Sequence, residues 1–175
     1  MVTRIFILGY MGAGKTTIAR RLAQRLGWRF FDTDKMVEES TGLSIDEYFK
    51  KNGEGAFRQL ETKVLQCTAE LDHVVVSTGG GTPCFNQNMD WMNKHGFTVF
   101  VQVSAESAVS RLLSSKNRRP LLENKSREEL MAYVKQHYTS RLPFYQQAQM
   151  TIKGENLSVD DLLVMIRLYE EVNKD

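Results

Sequence analysis

Gly9-Tyr-Met-Gly-Ala-Gly14-Lys15-Thr16 carries the spacing G-x-x-x-x-G-K-[ST] close to the amino terminus. Each residue type suits a task. Gly9, Gly12 and Gly14 let backbone amides turn towards an anion, and those amides form a nest at the positive end of the following helix. Lys15 reaches β- and γ-phosphates, and the Thr16 hydroxyl is a ligand for Mg2+. Gly12, Ala13, Gly14, Lys15, Thr16 and Thr17 are therefore the candidate nucleotide-binding residues.

The other chemically capable residues follow the ends of apolar runs, or sit on helical stretches. Asp32 and Asp34 close the second run, and Gly79, Gly80 and Gly81 close the third. Ligands of an open parallel sheet gather beyond the carboxyl ends of its strands, so these residues should meet the phosphate loop in one cleft. A phosphate-loop enzyme holds Mg2+ with the loop hydroxyl and an acid at a strand end. The third run, His73-Val-Val-Val-Ser77, has no acid. Asp32 is then the metal-side carboxylate, and Asp34 is free to accept a hydrogen bond from an acceptor hydroxyl. In extended chain the two aspartates point the same way; alternatively, Asp34 caps a helix opening near Lys35. The triple glycine is either a tight turn or a bare floor for a small ligand. Arg58 and Arg141 are either solvated or a bidentate grip for a carboxylate. Arg118 and Arg119 precede Pro120 in a polar, basic stretch, from which one could swing onto a transferring phosphoryl group. His73, His95 and His137 share no metal-ligand spacing.

Alternating strand and helix patterns must position these groups. Strands are expected over Ile5–Leu8, Arg29–Phe31 (closing at Asp32-Thr-Asp34), His73–Ser77, Thr98–Val103 and Met150–Ile152. A helix after the phosphate loop ends near Gly27. Ser44-Ile-Asp-Glu47 and Ser126-Arg-Glu-Glu129 are capping boxes, and Ser158 caps a closing helix. A Gly-Glu-Gly break at 53–55 separates a short helix from a longer one carrying Phe57, Leu60 and Val64. Further helices are expected over about 86–95 and from Ala108 to Leu113. The stretch 114–125 lacks either periodicity and reads as a functional lid. The order of elements is that of a three-layer α/β domain with a mostly parallel sheet.

Composition narrows the partners. The 175 residues suit a single domain, and 42% hydrophobic with 25% charged content is ordinary for a globular protein. A net charge of +2 is too small to indicate a nucleic-acid or membrane surface. Cys67 and Cys84 have no metal spacing and read as reduced thiols, Met1-Val-Thr-Arg4 leads straight into the first strand so that no targeting segment is expected, and no apolar run is long enough to span a bilayer. A cytoplasmic monomer is expected, because no apolar helix stripe stands out as uncommitted.

Taken together, Gly9-Tyr-Met-Gly-Ala-Gly-Lys-Thr-Thr17, Phe31-Asp-Thr-Asp34, Gly53-Glu-Gly-Ala-Phe-Arg-Gln-Leu-Glu61, Ser77-Thr-Gly-Gly-Gly81, Arg119-Pro-Leu-Leu122 and Arg141-Leu-Pro-Phe-Tyr145 resemble the shikimate kinase family. The resemblance implies a P-loop NTPase fold of the nucleoside-monophosphate-kinase type, with a five-stranded parallel sheet and a mobile lid. It implies transfer of the γ-phosphoryl of ATP to the 3-hydroxyl of shikimate, in the route to aromatic amino acids, with ADP as co-product. By the family pattern Asp34, Arg58, Gly80 and Arg141 hold shikimate, with Gly79 and Gly81 nearby. Lys15 and Arg119 serve the phosphoryl group, and Thr16 with Asp32 serves Mg2+. Asp34 either orients or deprotonates the attacking hydroxyl. Two positions depart from the family habit: Tyr10, where phenylalanine is frequent, and Gln149, where aspartate is common. Arg111 and the loop Lys153–Asn156 are adenine-side candidates by position.

Overall fold

The computed structural model describes residues 2–114, 126–155 and 158–172. Five strands, β1 (Arg4–Leu8), β2 (Arg29–Asp32), β3 (Val74–Ser77), β4 (Phe97–Gln102) and β5 (Met150–Lys153), form one sheet in the order β2-β3-β1-β4-β5. Every pairing is parallel. The inner strands are near-continuous apolar runs because helices cover both faces, whereas the edge strands β2 and β5 are only partly buried.

The helices are α1 (Lys15–Leu26), α2 (Thr33–Thr41), α3 (Ile45–Cys67), α4 (Asn88–His95), α5 (Ala105–Ser114), α6 (Arg127–Tyr145) and α7 (Val159–Val172). With right-handed crossovers, the step from β1 to β2 runs opposite in direction to the later steps. That puts α1 on one face and α3, α4 and α6 on the other. Ring contacts agree: Phe6 meets Trp91 of α4 and Phe100 meets Tyr145 of α6, whereas Phe97 meets Tyr169 of α7. The reversal of direction makes the carboxyl ends of β1 and β3 the switch point of the sheet.

Both capping boxes form, at Ser44 with Glu47 and at Ser126 with Glu129, and Ser158 accepts a hydrogen bond from the Asp160 amide. The expected break at 53–55 falls at Gly53, whose φ of 78° and ψ of 171° leave the helical region, so that α3 is a short helix and a longer one joined across a kink. Three local expectations change. The strand after α1 ends at Asp32, and α2 begins at Thr33 rather than near Lys35. Asp32, not Asp34, is the cap, because its carboxylate accepts from the amides of Asp34 and Lys35. Finally, Val164, Leu168 and Val172 leave an exposed apolar stripe along α7, where none had stood out. The stretch 115–125, with Arg118 and Arg119, lies outside the described residues.

Candidate active site

The phosphate loop joins β1 to α1 at the switch point. Gly14 is the N-cap of α1 with φ 88° and ψ 17°, a left-handed conformation that a Cβ resists and that starts the helix directly beneath the loop. The Lys15 ammonium donates to the Tyr10 carbonyl at 3.0 Å, so the side chain folds back across its own loop. Arg111 of α5 ties the loop down from the far side. It donates to the carbonyls of Gly12 and Ala13 at 3.2 and 3.1 Å and to Gly154 at 3.2 Å. The last of these contacts joins Arg111 to Gly154, so the two adenine-side candidates lie side by side.

Sheet register assembles the metal-side group. Asp32 pairs with Ser77 across β2 and β3, and Ser77 pairs with Ile7 of β1. The Thr16 hydroxyl donates to Asp32 Oδ2 at 2.9 Å and lies 3.3 Å from Ser77 Oγ. Two hydroxyls and a carboxylate therefore converge, a hard oxygen set that fits Mg2+, which takes few protein ligands beside water and phosphate. No cluster of three His, Cys, Asp or Glu side chains that could hold another metal occurs among the described residues. Ser77 was not foreseen as part of this group; its place at the carboxyl end of the third apolar run, two residues before the glycines, was the available signal.

Beyond β3 the triple glycine is hemmed in by the predicted acceptor-side residues. A Cβ on Gly79 would stand 2.6 Å from Asp34 Oδ1, 2.8 Å from Glu61 Oε1 and 2.9 Å from Thr82 Oγ1. On Gly81 it would stand 2.6 Å from Arg58 Nη1, and on Gly80 it would stand 3.8 Å from Arg141 Nη1 and 3.4 Å from the Met11 amide nitrogen. The surface is bare because side chains from α2, α3 and α6 occupy the space around it. The Gly79 amide donates to Thr33 Oγ1, which anchors this floor to the start of α2.

Arg58 is aimed from several sides. Its Nη1 donates to Glu61 Oε2 at 2.9 Å, and its guanidinium lies 4.1 Å from the Phe85 ring centroid. Glu61 is 2% exposed and also accepts from the Thr82 hydroxyl at 2.6 Å. Sequence reasoning missed Glu61 as a site residue, although its place one turn beyond Arg58 on the same helix face was a readable sign. Tyr145 donates to the Gly80 carbonyl at 2.6 Å, a second contact not foreseen. Arg58 and Arg141 also form the electrostatic setting of their neighbours. Burial pushes the Cys84 thiol up to about 11, against the pull of both arginines, so this cysteine stays protonated and inert. Burial, then Arg141 and Arg58, hold His137 below the ordinary histidine range, so its imidazole is neutral near neutral pH. The chemistry on offer is clear: an anion nest with a lysine and an oxygen cluster, next to a floor flanked by a carboxylate and two arginines.

Known proteins are similar to this chain along most of its length. The family model for shikimate kinase matches residues 11–170. A shikimate kinase of Phocaeicola vulgatus is 46% identical over 156 residues, covering 89% of each chain. The crystal structure of the Bacteroides thetaiotaomicron shikimate kinase superposes with a TM-score of 0.89 at 38% identity, covering 100% of both chains. The Acinetobacter baumannii shikimate kinase, solved in complex with shikimate, gives a TM-score of 0.83 at 34% identity, covering 99% of this chain and 96% of its own. A match that runs through the loop, the floor and both arginine helices places this chain in the shikimate kinase family.

Proposed function

We propose that this chain phosphorylates the 3-hydroxyl of shikimate with ATP, giving shikimate 3-phosphate and ADP, through the residues gathered at the switch point. The observation that carries this reading is the placement of Asp34, Arg58 and Arg141 around the Gly79–Gly81 floor, directly beside the phosphate loop. Shikimate has the matching chemistry: one carboxylate for two guanidiniums and adjacent hydroxyls for a carboxylate acceptor.

The amides of Gly12, Ala13 and Gly14, with Lys15, Thr16 and Thr17, receive the phosphates. Lys15 leaves its contact with the Tyr10 carbonyl and meets the phosphoryl charge. Thr16 and Asp32 would hold Mg2+, beside Ser77, and the ion would supply positive charge to offset that of the phosphates. Arg58 and Arg141 grip the acceptor carboxylate, and Asp34 accepts a hydrogen bond from the attacking hydroxyl and orients it. Gly79, Gly80 and Gly81 let the ring lie against backbone. Arg119 is assigned to the phosphoryl group by sequence pattern alone, on a lid over about 114–125. Positioning and charge stabilisation do most of the work in such a transfer.

These residues form one site within one chain, and we propose a single kinase domain over 1–175 acting as a monomer. Its partners are then ATP, ADP and shikimate, with neither nucleic acid nor membrane. No helix among the described residues is long and apolar enough to cross a membrane, and we place the enzyme in the cytoplasm.

An ADP-release assay with ATP and Mg2+ tests the reading, with shikimate, gluconate and nucleoside monophosphates as acceptors. Turnover is expected with shikimate alone. Arg58→Ala should raise the shikimate KM on the order of ten-fold or more while sparing the ATP KM. Lys15→Met should instead lower kcat on the order of a hundred-fold. Unchanged shikimate KM in the Arg58 variant would sink the carboxylate grip.

A further inference from the structure

Helix α6 docks on the site along one face, with His137, Arg141 and Tyr145 four residues apart in succession. Each makes a different contact. His137 Nδ1 and Tyr10 Oη share a hydrogen bond of 2.9 Å, which joins α6 to the phosphate loop. Arg141 lies over the Gly80 floor. Tyr145 donates to the Gly80 carbonyl at 2.6 Å. Arg141 thus sits between two anchors, one on the nucleotide loop and one on the acceptor floor.

We infer that the Tyr10–His137 hydrogen bond is a positioning link that holds Arg141 in place for the acceptor carboxylate. The surroundings favour a specific bond over loose packing. Tyr10 is fully buried, with its ring edge-on to both His137 and Tyr138. Losing a directional partner is costly for a buried hydroxyl in that setting, and His137 is such a partner. The loop itself is held independently, because the Ala13 amide donates to the Tyr10 carbonyl and Arg111 holds the carbonyls beyond. Losing the link therefore leaves the nucleotide side in place and frees the middle of α6. His137 stays neutral beside Arg141 and Arg58, with Glu54 opposing them more weakly and the Tyr133 ring packed on its own helix. It can thus accept at Nδ1 from the tyrosine hydroxyl.

The inference rests on the reading that Arg141 grips the acceptor carboxylate. Steady-state kinetics of Tyr10→Phe, His137→Leu, the double variant, His137→Asn and Arg141→Ala test both. Loss of one hydrogen bond should raise the shikimate KM about five-fold in Tyr10→Phe and in His137→Leu, with kcat and the ATP KM within about two-fold. The double variant should add nothing beyond either single one, since both remove the same bond. Asparagine places an amide close to the Nδ1 position, so His137→Asn should restore the wild-type KM. Equal rises in the ATP and shikimate KM, additive single effects, or no rescue by asparagine would each overturn the positioning role. If Arg141→Ala raises the shikimate KM but the Tyr10 and His137 variants do not, only this inference fails. If Arg141→Ala leaves that KM unchanged, the acceptor reading itself fails.

Discussion

At the scale of residues, Glu61 shows how a site is aimed by a group that need not touch the substrate. Arg58 has two carboxylate partners, but they are unequal. Glu54 is 55% exposed at 3.3 Å, and solvent screens such a pair to little net value. Glu61 is 2% exposed at 2.9 Å, where the pair is expensive to desolvate and more expensive to break. Its second oxygen is bound by the Thr82 hydroxyl, so the carboxylate cannot rotate freely. The guanidinium is thereby fixed against the Gly81 end of the floor. Glu61→Gln keeps the shape and removes the charge. It should raise the shikimate KM on the order of ten-fold and leave the ATP KM unchanged, in initial-rate measurements with each substrate varied. An equal effect on both substrates would mean that Glu61 serves only the fold.

At the scale of elements, the turn after β3 is defined by available space. Gly79 has no positive φ, so nothing in its backbone demands glycine. What demands it is the set of three oxygens, from Asp34, Glu61 and Thr82, that would lie within 2.9 Å of a Cβ. Those oxygens belong to α2, α3 and the 3-10 turn Thr82–Cys84, so a methyl group there pushes on three elements at once. Gly79→Ala should lower kcat/KM for shikimate on the order of a hundred-fold, because displacing reacting groups by about an ångström is that costly. Nucleotide binding, followed by titration with an ADP analogue, should stay within about three-fold, since the loop stands on β1 and Arg111 instead.

At the scale of the whole molecule, the two ends of the sheet do different work. The carboxyl ends hold the described residues proposed for the reaction, whereas the amino end of β1 carries a buried arginine bound chiefly by backbone carbonyls. Arg4 is 8% exposed and donates to the carbonyls of Ala69, Leu71 and His95. It thereby joins the turn after α3 to the end of α4. Its carboxylate neighbour Asp72 is 3.9 Å away and 72% exposed, so the carbonyls are the partners that count. Arg4→Met fills much of the volume and leaves those acceptors unpaired. It should cost about 2–4 kcal/mol of stability in urea unfolding with an unchanged slope, and should leave kcat and both KM values intact. A loss of activity without a loss of stability would tie this end of the sheet to the site.

Local chemistry was legible in the amino acids themselves. A nest of amides followed by a lysine and a threonine is made from consecutive residues, so its meaning survives without any knowledge of the fold. The capping boxes at Ser44 and Ser126 are equally local, and the apolar runs of β1, β3 and β4 announced a sheet covered on both faces. The two aspartates divided differently from the extended-strand reading, because capping by Asp32 starts the helix at Thr33 and carries Asp34 into its first turn. Which capping geometry wins depends on where β2 ends, and that is set by its pairing with β3. The seat of Arg58 on the Phe85 ring, the Thr82 bond to Glu61, the bareness of the Gly79–Gly81 floor and the Tyr10–His137 bond all join residues far apart in the chain. No periodicity encodes such contacts. They exist only once the crossovers have brought α2, α3 and α6 to one end of the sheet.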